Sequence, residues 1–486
     1  PGTSSDNPTY LFNYVTNSGG KVLQTDVTDP RGNVRRVTFN SSGMWLTDTL
    51  ALGTSEEQVV TVERQPNTNL ILSGLDPLGR RSAFTYDTAG RLISKTRFAL
   101  TSDAVTTSFT YEAGNLHPTS ATDPLGRTTY IKYDEDHNLV SIIDPLGRRT
   151  VIENNDQGQP ILEIDALGRI TSYEYQLGLL VSIIDHNGRK TSRAVDDVGR
   201  TVALNDPLGR TTRMEYDGVN QLKKITDSQN RVTEITYDPN GNVLSLKDPR
   251  LKLTTFTYDN MDRLKTRTDA LQGANSVEQY EYDVSGNLKK FTDRRGKVMV
   301  YQYDHLDRRN FIGFGETSPG VYESTITYGY DIADRLLTAA DSVSGTITLD
   351  YNNIDRLVSQ VTSQGSIAYT YDKVGRQKTM TVAGQSVVNY DYDDGNRLKQ
   401  ITQGSASVRF TYDDGDRLTS KTLPNGIATE YSYDSASRPK GIVYRLGSTV
   451  LGNLTYEYDQ MGRRNKVGGT FGRVNLPQAV TVAAHD

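Results

Sequence analysis

Hydrophobic and polar residues alternate with a period of two along short stretches of this chain. Within Thr128–Tyr133, the side chains of Thr129, Ile131 and Tyr133 share one face, and the residues between them share the other. A period of two that uses Thr, Ile and Tyr is typical of β-strands, so the pattern predicts strands and not helices. The same alternation returns at Thr212/Met214/Tyr216, Thr233/Ile235/Tyr237 and Thr254/Phe256/Tyr258.

Two kinds of turn separate these runs. A DPLGR turn is a group of five residues that begins with Asp, as in Asp123–Arg127, where Asp can hydrogen-bond the backbone, Pro presets φ and Gly accepts a positive φ. A Tyr-Asp turn is the group of five residues that follows the Tyr at a strand end, as in Asp87–Arg91. It leads into a return strand such as Leu222–Ile225, whose apolar residues would fall on both faces of a regular strand. The sequence alone therefore leaves the inward face of the return strands open.

Both turns recur with a common period. DPLGR turns are followed ten residues later by Tyr or by its substitute, as from Asp206 to Tyr216 and from Asp144 to Asn154. An offset that survives changes of residue type indicates a geometric constraint, and it predicts tandem β-hairpins of about 21 residues. From Asp123 onward the spacings are 21, 21, 20, 21, 21 and 21 residues, with DPLGR turns or their variants beginning at Asp76, Asp123, Asp144, Asp165, Asp185, Asp206, Asp227 and Asp248.

The period also predicts an architecture. Two strands per repeat advance a sheet by roughly 10 Å, so about 23 repeats would extend on the order of 220 Å. Twist accumulates over such a length, and the polar composition does not supply the faces of a filled two-layer sandwich. We predict an all-β chain with strands of about 5–7 residues in one long, coiled antiparallel sheet, part of a hollow β-shell. We expect Tyr216, Tyr237 and Tyr258 to form a ladder on one face.

Regularity divides the repeats into three regions, without a shift of composition that would mark an independent domain. We predict an insertion at Ser41–Pro66, three extra residues at Gln272–Ala274 and an inserted loop at Phe311–Glu323. Because repeats support their neighbours, we expect one continuous structural unit. Its regions are irregular N-terminal repeats (1–70), regular repeats (71–310) and degenerate repeats (311–486).

Composition narrows the classes of function. The formal net charge is −5 and the isoelectric point is near 5.7, so we expect no general attraction to nucleic acid. Cys is absent, which excludes disulfides, thiolate metal sites and a Cys nucleophile. No apolar run is long enough for a transmembrane helix, so no membrane span is predicted.

Residues with catalytic or metal-binding potential do not form a recognisable constellation. Asp391–Asn396 looks like a calcium loop but lacks the closing Glu, so turn capping explains it better. The adjacent acids Glu56-Glu57 and Asp413-Asp414 are more typical of solvated turns than of a glycosidase. We predict no catalytic, cofactor-binding or metal-binding residues and no enzymatic activity. The histidines are scattered, at His117, His137, His186, His305 and His485.

The combination Tyr-Asp-x-x-Gly-Arg-Leu followed by Asp-Pro-Leu-Gly-Arg resembles the RHS/YD-repeat family, from about residue 10 to the C-terminus. This family includes bacterial rearrangement-hotspot polymorphic toxins, shell components of insecticidal toxin complexes and the extracellular part of teneurins. The resemblance implies a hollow β-shell that, in the bacterial proteins, encloses a C-terminal toxin domain. The last stretch, Gly468–Asp486, lacks the DPxGL-like boundary motif of those shells. We therefore expect this chain to be part of a shell, without plug, protease or toxin payload.

Two functions follow as expectations. The first is the non-enzymatic wall of a secreted or cell-surface bacterial shell. Its expected partners are a toxin domain absent from this chain, and further shell repeats or other chains that pair with the edge strands of this chain. The alternative is a surface adhesion or filament-forming protein, with protein partners or surface glycans bound on the outer face.

Overall fold

The computed structural model describes residues 9–269, 277–459 and 461–472. Within these residues there is no helix, and the strands form antiparallel pairs, so the all-β prediction is confirmed. Most strands have five to seven residues, as predicted. In chain order the strands are β1 (Leu11–Thr16), β2 (Val22–Thr28), β3 (Val34–Phe39), β4 (Trp45–Leu50), β5 (Gln58–Arg64), β6 (Ile71–Leu75), β7 (Arg81–Tyr86), β8 (Leu92–Arg97), β9 (Val105–Thr110), β10 (Ser120–Thr122), β11 (Thr128–Tyr133), β12 (Leu139–Ile143), β13 (Arg149–Asn154), β14 (Pro160–Ile164), β15 (Ile170–Gln176), β16 (Leu179–Ile184), β17 (Lys190–Val195), β18 (Thr201–Asn205), β19 (Thr211–Tyr216), β20 (Leu222–Thr226), β21 (Val232–Tyr237), β22 (Val243–Lys247), β23 (Leu253–Tyr258), β24 (Leu264–Thr268), β25 (Val277–Tyr282), β26 (Leu288–Thr292), β27 (Val298–Tyr303), β28 (Arg309–Phe314), β29 (Ser324–Tyr330), β30 (Leu336–Asp341), β31 (Gly345–Tyr351), β32 (Leu357–Thr362), β33 (Gly365–Tyr371), β34 (Gln377–Val382), β35 (Val388–Tyr392), β36 (Leu398–Gln403), β37 (Ala406–Tyr412), β38 (Leu418–Thr422), β39 (Ile427–Tyr433), β40 (Pro439–Leu446), β41 (Thr449–Tyr458) and β42 (Arg464–Gly468).

The strands belong to two compact units, each built from separate stretches of the chain. In each unit, strands from the N-terminal part of the chain share the unit with strands from much later repeats. The first unit comprises Pro1–Gly126, Tyr216–Ile225 and Arg231–Gln385, and the second comprises Arg127–Glu215, Thr226–Asn230 and Ser386–Asp486.

The face of each forward strand that carries the Tyr is the better covered one. In β21, Thr233, Ile235 and Tyr237 are half-buried, whereas Glu234 and Thr236 on the opposite face are exposed. Buried apolar side chains are few in the part of the chain that the structure describes, and they belong to Ala51, Phe98, Ala99 and Ile312. The side chains on one face of the sheet are therefore partly shielded from solvent, and few of them are buried.

A β-bulge at each Tyr-Asp hairpin settles the orientation of the return strands. Tyr282 of β25 pairs with Leu288, whereas Tyr280 pairs with Phe291, because the register shifts by one residue between them. Leu288 and Phe291 therefore face the same side as both tyrosines, although they lie three residues apart. The expectation that such return strands split their apolar residues between faces is wrong, since an extra residue in the strand restores the alternation.

Two predicted irregularities have a different form in the structure. Ser41–Pro66 is not an insertion, because it contains β4 and β5, which pair with each other through Leu50 and Gln58. The loop predicted at Phe311–Glu323 is shorter, since its first residues complete β28. Gln272–Ala274 and His485 lie outside the described residues. The division at residues 70 and 310 stays a prediction.

Candidate functional site

Most turns of the repeat are held by the side chain of their first residue, through the same hydrogen bonds in both kinds of turn. In the Tyr-Asp turn Asp259–Arg263, Oδ1 of Asp259 accepts the backbone N–H groups of Met261 (2.9 Å) and Arg263 (3.1 Å). Oδ2 of Asp259 accepts Nε of Arg263 at 2.8 Å. The DPLGR turn at Asp76 repeats this pattern with Arg80. The motif Asp-x-x-x-Arg is thus a self-capping turn.

The electrostatics of the turns follow from this capping. The backbone N–H of Arg91, with further help from its guanidinium, lowers the pKa of Asp87 below its ordinary value, although partial desolvation opposes the effect. At Asp144 burial is the largest influence and would raise the pKa, but the hydrogen bonds and charge of Arg148 outweigh it, and the pKa of Asp144 is lowered. These carboxylates are therefore held in the ionised form.

The tyrosines link successive hairpins through their hydroxyl groups. The Tyr258 hydroxyl donates to the backbone carbonyl of Val243 at 2.9 Å, and Tyr237 bonds Leu222 in the same way at 2.8 Å. Burial raises the pKa of both hydroxyls, which keeps them protonated as donors. Equivalent tyrosines lie two strands, or about 10 Å, apart, which is too far for ring contact. Tyr237 and Tyr258 of the predicted ladder therefore lie on one face, but hydrogen bonds and not stacked rings join them to their neighbours.

The arginine of a Tyr-Asp turn fills the space between neighbouring repeats. The guanidinium of Arg263 lies 4.7 Å from the ring centroid of Tyr282, in the next repeat, and its Nη1 donates to the carbonyl of Asp283 at 3.2 Å. Each such arginine joins its own turn to the following Tyr and turn. The same stacking occurs at Arg91/Tyr111, Arg308/Tyr330, Arg335/Tyr351, Arg397/Tyr412, Arg417/Tyr433 and Arg438/Tyr458.

A second set of contacts joins repeats that lie about 250 to 276 residues apart, and we call these coil contacts. In the first unit, Nη1 of Arg80 in a DPLGR turn lies 2.5 Å from a carboxylate oxygen of Asp355 in a Tyr-Asp turn. Arg31 pairs likewise with Asp307. In the second unit, Arg148 contacts Asp416 at 2.5 Å. The early DPLGR turns of each unit therefore pack against its late Tyr-Asp turns.

The acidic partner in these coil contacts occupies an unusual backbone position. Asp307, Asp355 and Asp416 are fourth in their turns, with φ of 59°, 60° and 60°, where most earlier Tyr-Asp turns have Gly. A side chain in this left-handed region costs about 1 kcal/mol or more. Each carboxylate of Asp355 and Asp416 binds two arginines, one across the coil contact and one from the preceding repeat, at Arg335 (3.1 Å) and Arg397 (3.0 Å) respectively.

Sequence reasoning missed this role, although a signal was present. Tyr-Asp turns up to Gly241 have Gly, Asn or His at the left-handed fourth position, as at His137 and Asn220. Asp enters this position only in later repeats, at Asp262, Asp307, Asp334, Asp355 and Asp416.

The residues weighed for other chemistry take part in turns and coil contacts. Asp393, in the calcium-like segment, caps its own turn by accepting N–H groups of Gly395 and Arg397. Nδ1 of His305 lies 2.9 Å from a carboxylate oxygen of Glu56, which is a coil contact. Asp413 caps the turn that ends at Arg417.

Two kinds of feature are absent from the described residues. Among residues 9–269, 277–459 and 461–472, no group of three or more His, Asp or Glu side chains is arranged to hold a metal ion. The described part of the chain also contains no helix that is long and apolar enough to cross a membrane.

Solved structures share this fold. A crystal structure of TcdB2-TccC3 superposes with a TM-score of 0.66 at 14% identity, over 95% of this chain and 31% of that chain. The Photorhabdus luminescens Tc holotoxin pore with the TccC3 mutation D651A gives a TM-score of 0.59 at 14% identity, over 94% of this chain and 29% of that one. TcdB2-TccC3 without its hypervariable C-terminal region gives 0.57 at 14% identity, over 95% and 30%. This chain thus spans about a third of the length of those chains.

Family models match the repeats directly. The model for the Teneurin YD-shell matches residues 209–318 and 347–467, and the model for the RHS repeat matches residues 111–149. No curated protein matches this chain in sequence. The matched segments contain several of the turns whose contacts are described above, among them Asp144–Arg148 and Asp259–Arg263. This chain is a member of the RHS/YD-repeat family, and its role is that of a structural, shell-type repeat array.

Proposed function

We propose that this chain is a non-enzymatic wall of a secreted bacterial RHS-type shell, and that the shell encapsulates a toxin domain not present in residues 1–486. The observation that carries the proposal is the fold likeness over 95% of the chain to TcdB2-TccC3. TccC3 is also named in the Tc holotoxin pore structure. Another of these structures is described as lacking a hypervariable C-terminal region, which is the kind of segment such a shell would enclose.

The chemistry of the repeat supports a structural role. The motif residues Asp, Arg and Tyr, which could otherwise serve as acids, bases or ligands, hold turns, neighbouring hairpins and coil contacts, as at Asp259, Arg263 and Tyr258.

The sheet of a shell wall must also continue beyond the edge strands of one chain. The first strand, β1, pairs with β2 along one side, and its residues are exposed on both faces. We propose that further shell repeats or another chain pair with such edge strands.

Limited proteolysis of the natural polypeptide that contains this sequence tests the proposal. We expect a separate domain to be encoded beyond the repeats and to resist protease until the repeats are unfolded by urea. A polypeptide that encodes no such domain, or a domain that is digested at the same rate with the repeats folded and unfolded, contradicts encapsulation. Such a result would instead favour the adhesion or filament-forming function.

A further inference from the structure

Three DPLGR turns of the first unit place an arginine at their third position, but only one of these arginines is largely shielded from solvent. Arg31, in Asp29–Asn33, pairs with Asp307 in a coil contact, and its side chain is 18% exposed. Arg250 and Arg295 hold the same position in later turns, and their side chains are 75% and 82% exposed.

Each of the two exposed arginines pairs with the first residue of its own turn. Nε of Arg250 lies 3.2 Å from Oδ2 of Asp248, and Nε of Arg295 lies 3.1 Å from Oδ2 of Asp293. Ion pairs this open to water contribute little, and each guanidinium keeps donors that point to solvent. Lys252 adds positive charge to the first of these turns, whereas the ammonium group of Lys297 pairs with Glu323. We call this surface, formed by Arg250, Lys252 and Arg295, the basic turn edge.

An acceptor of the matching kind lies at the opposite end of β23, in the turn between β23 and β24. Asp262 is fourth in its Tyr-Asp turn with φ of 58°, as are the aspartates of the coil contacts. Its carboxylate is exposed and accepts only the side-chain amides of Asn240 (3.0 Å) and Asn242 (2.7 Å) among the described residues. It borders a cavity of about 460 Å³ that is also lined by Asp238 and Asp259.

We propose that the basic turn edge of one copy of this chain docks on the Asp262 cavity of a second copy. The contact repeats, between chains, the pairing that already joins Arg31 with Asp307 and Arg80 with Asp355 within one chain. It supplies the left-handed Asp262 with the arginine that Asp307 and Asp355 have. Because donor and acceptor are different surfaces, the association is head-to-tail and can continue from copy to copy.

Charge reversal of the full chain tests this docking. Sedimentation of the wild-type chain at concentrations up to about 100 μM is expected to show reversible self-association that weakens with added salt. The variant R250D/R295D and the variant D262R should each raise the dissociation constant at least about tenfold, because like charges then meet. The triple variant R250D/R295D/D262R exchanges the charges and should restore association.

The control is K265D/K289D, which makes the same change of charge on exposed mid-strand residues of β24 and β26 and should associate as the wild type does. A wild-type chain that stays monomeric overturns the proposal. So does association that R250D/R295D leaves unchanged, since this would indicate pairing of edge strands such as β1. Neither result bears on encapsulation, which the proteolysis experiment tests separately.

Discussion

Asp355 is the residue whose replacement tests the coil contacts most sharply. It holds a left-handed backbone, which favours glycine, and its carboxylate binds both Arg80 and Arg335. The substitution Asp355→Gly therefore relieves backbone strain and removes two ion pairs at once. If the carboxylate serves only its own turn, glycine should stabilise the protein. If the carboxylate joins distant repeats through a coil contact, glycine should destabilise the protein.

The structure sets the expected magnitude. Two hydrogen bonds between charged groups contribute about 1.5–3 kcal/mol each when buried. Because the Asp355 side chain is 40% exposed, solvent screening reduces the two together to about 2 kcal/mol. Relief of left-handed strain returns up to about 1 kcal/mol, and the greater unfolded-state entropy of glycine cancels part of that. We expect a net loss of about 1–2 kcal/mol in the free energy of unfolding.

The assay is urea unfolding of dilute protein, followed by the fluorescence of Trp45, the only tryptophan, which lies in the same unit as Asp355. The matched control is Asp262→Gly, since Asp262 has nearly the same φ but binds only asparagine amides. Its stability should stay within about 0.5 kcal/mol of the wild type. Equal or greater stability of Asp355→Gly, or an equal loss in both variants, would refute the reasoning.

Three further predictions concern the repeat itself. Tyr258→Phe removes the hydroxyl that donates to Val243 and should lower the free energy of unfolding by about 1 kcal/mol, while Tyr130→Phe, 54% exposed, should be neutral in the same urea assay. Arg263→Lys keeps the charge but loses the planar contact with Tyr282 and should cost about 1 kcal/mol, measured in the same way. Acid should destabilise the fold, because the pKa values of Asp87 and Asp248 are lowered in the folded protein, chiefly by backbone N–H groups. The stability that these carboxylates contribute is present above the unfolded pKa of about 3.9 and is lost as the pH falls through the lower folded values. A urea midpoint that rises between about pH 5 and pH 3 would contradict this sign.

The sequence was sufficient to predict the strands because their pattern is local. Alternation in Val232–Tyr237 and the turn chemistry of Asp-Pro-Leu-Gly-Arg are both determined within a few residues, and the structure has strands and turns at those places. The return strands could not be assigned in this way. Their bulge shifts the register by one residue, so Leu288 and Phe291 share a face despite their odd separation.

The coil contacts were beyond the reach of local patterns. Arg80 and Asp355 are 275 residues apart, and both also belong to self-capping turns that explain them without any distant partner. The local signal is a change from Gly to Asp at the left-handed fourth position, as at Asp307, Asp355 and Asp416. This signal is incomplete, because Asp262 binds only nearby asparagines, whereas Ser437 receives the distant Arg169. The insertion predicted at Ser41–Pro66 failed for a related reason: the loop before Gln58 is unlike the other turns, yet β4 and β5 pair regularly.

The most direct test of the central claim, that distant repeats pack turn on turn, is an engineered disulfide. A Cβ atom at Gly415 would lie 3.0 Å from Cγ of Leu167, in a turn 248 residues earlier, which brings the two Cβ atoms within the range that a disulfide spans. The chain has no other Cys. The variant L167C/G415C should therefore form one intramolecular disulfide under mild oxidation and migrate faster on a non-reducing gel, whereas L208C/G415C should not. Failure of L167C/G415C to cross-link, or equal cross-linking of both pairs, would contradict the account.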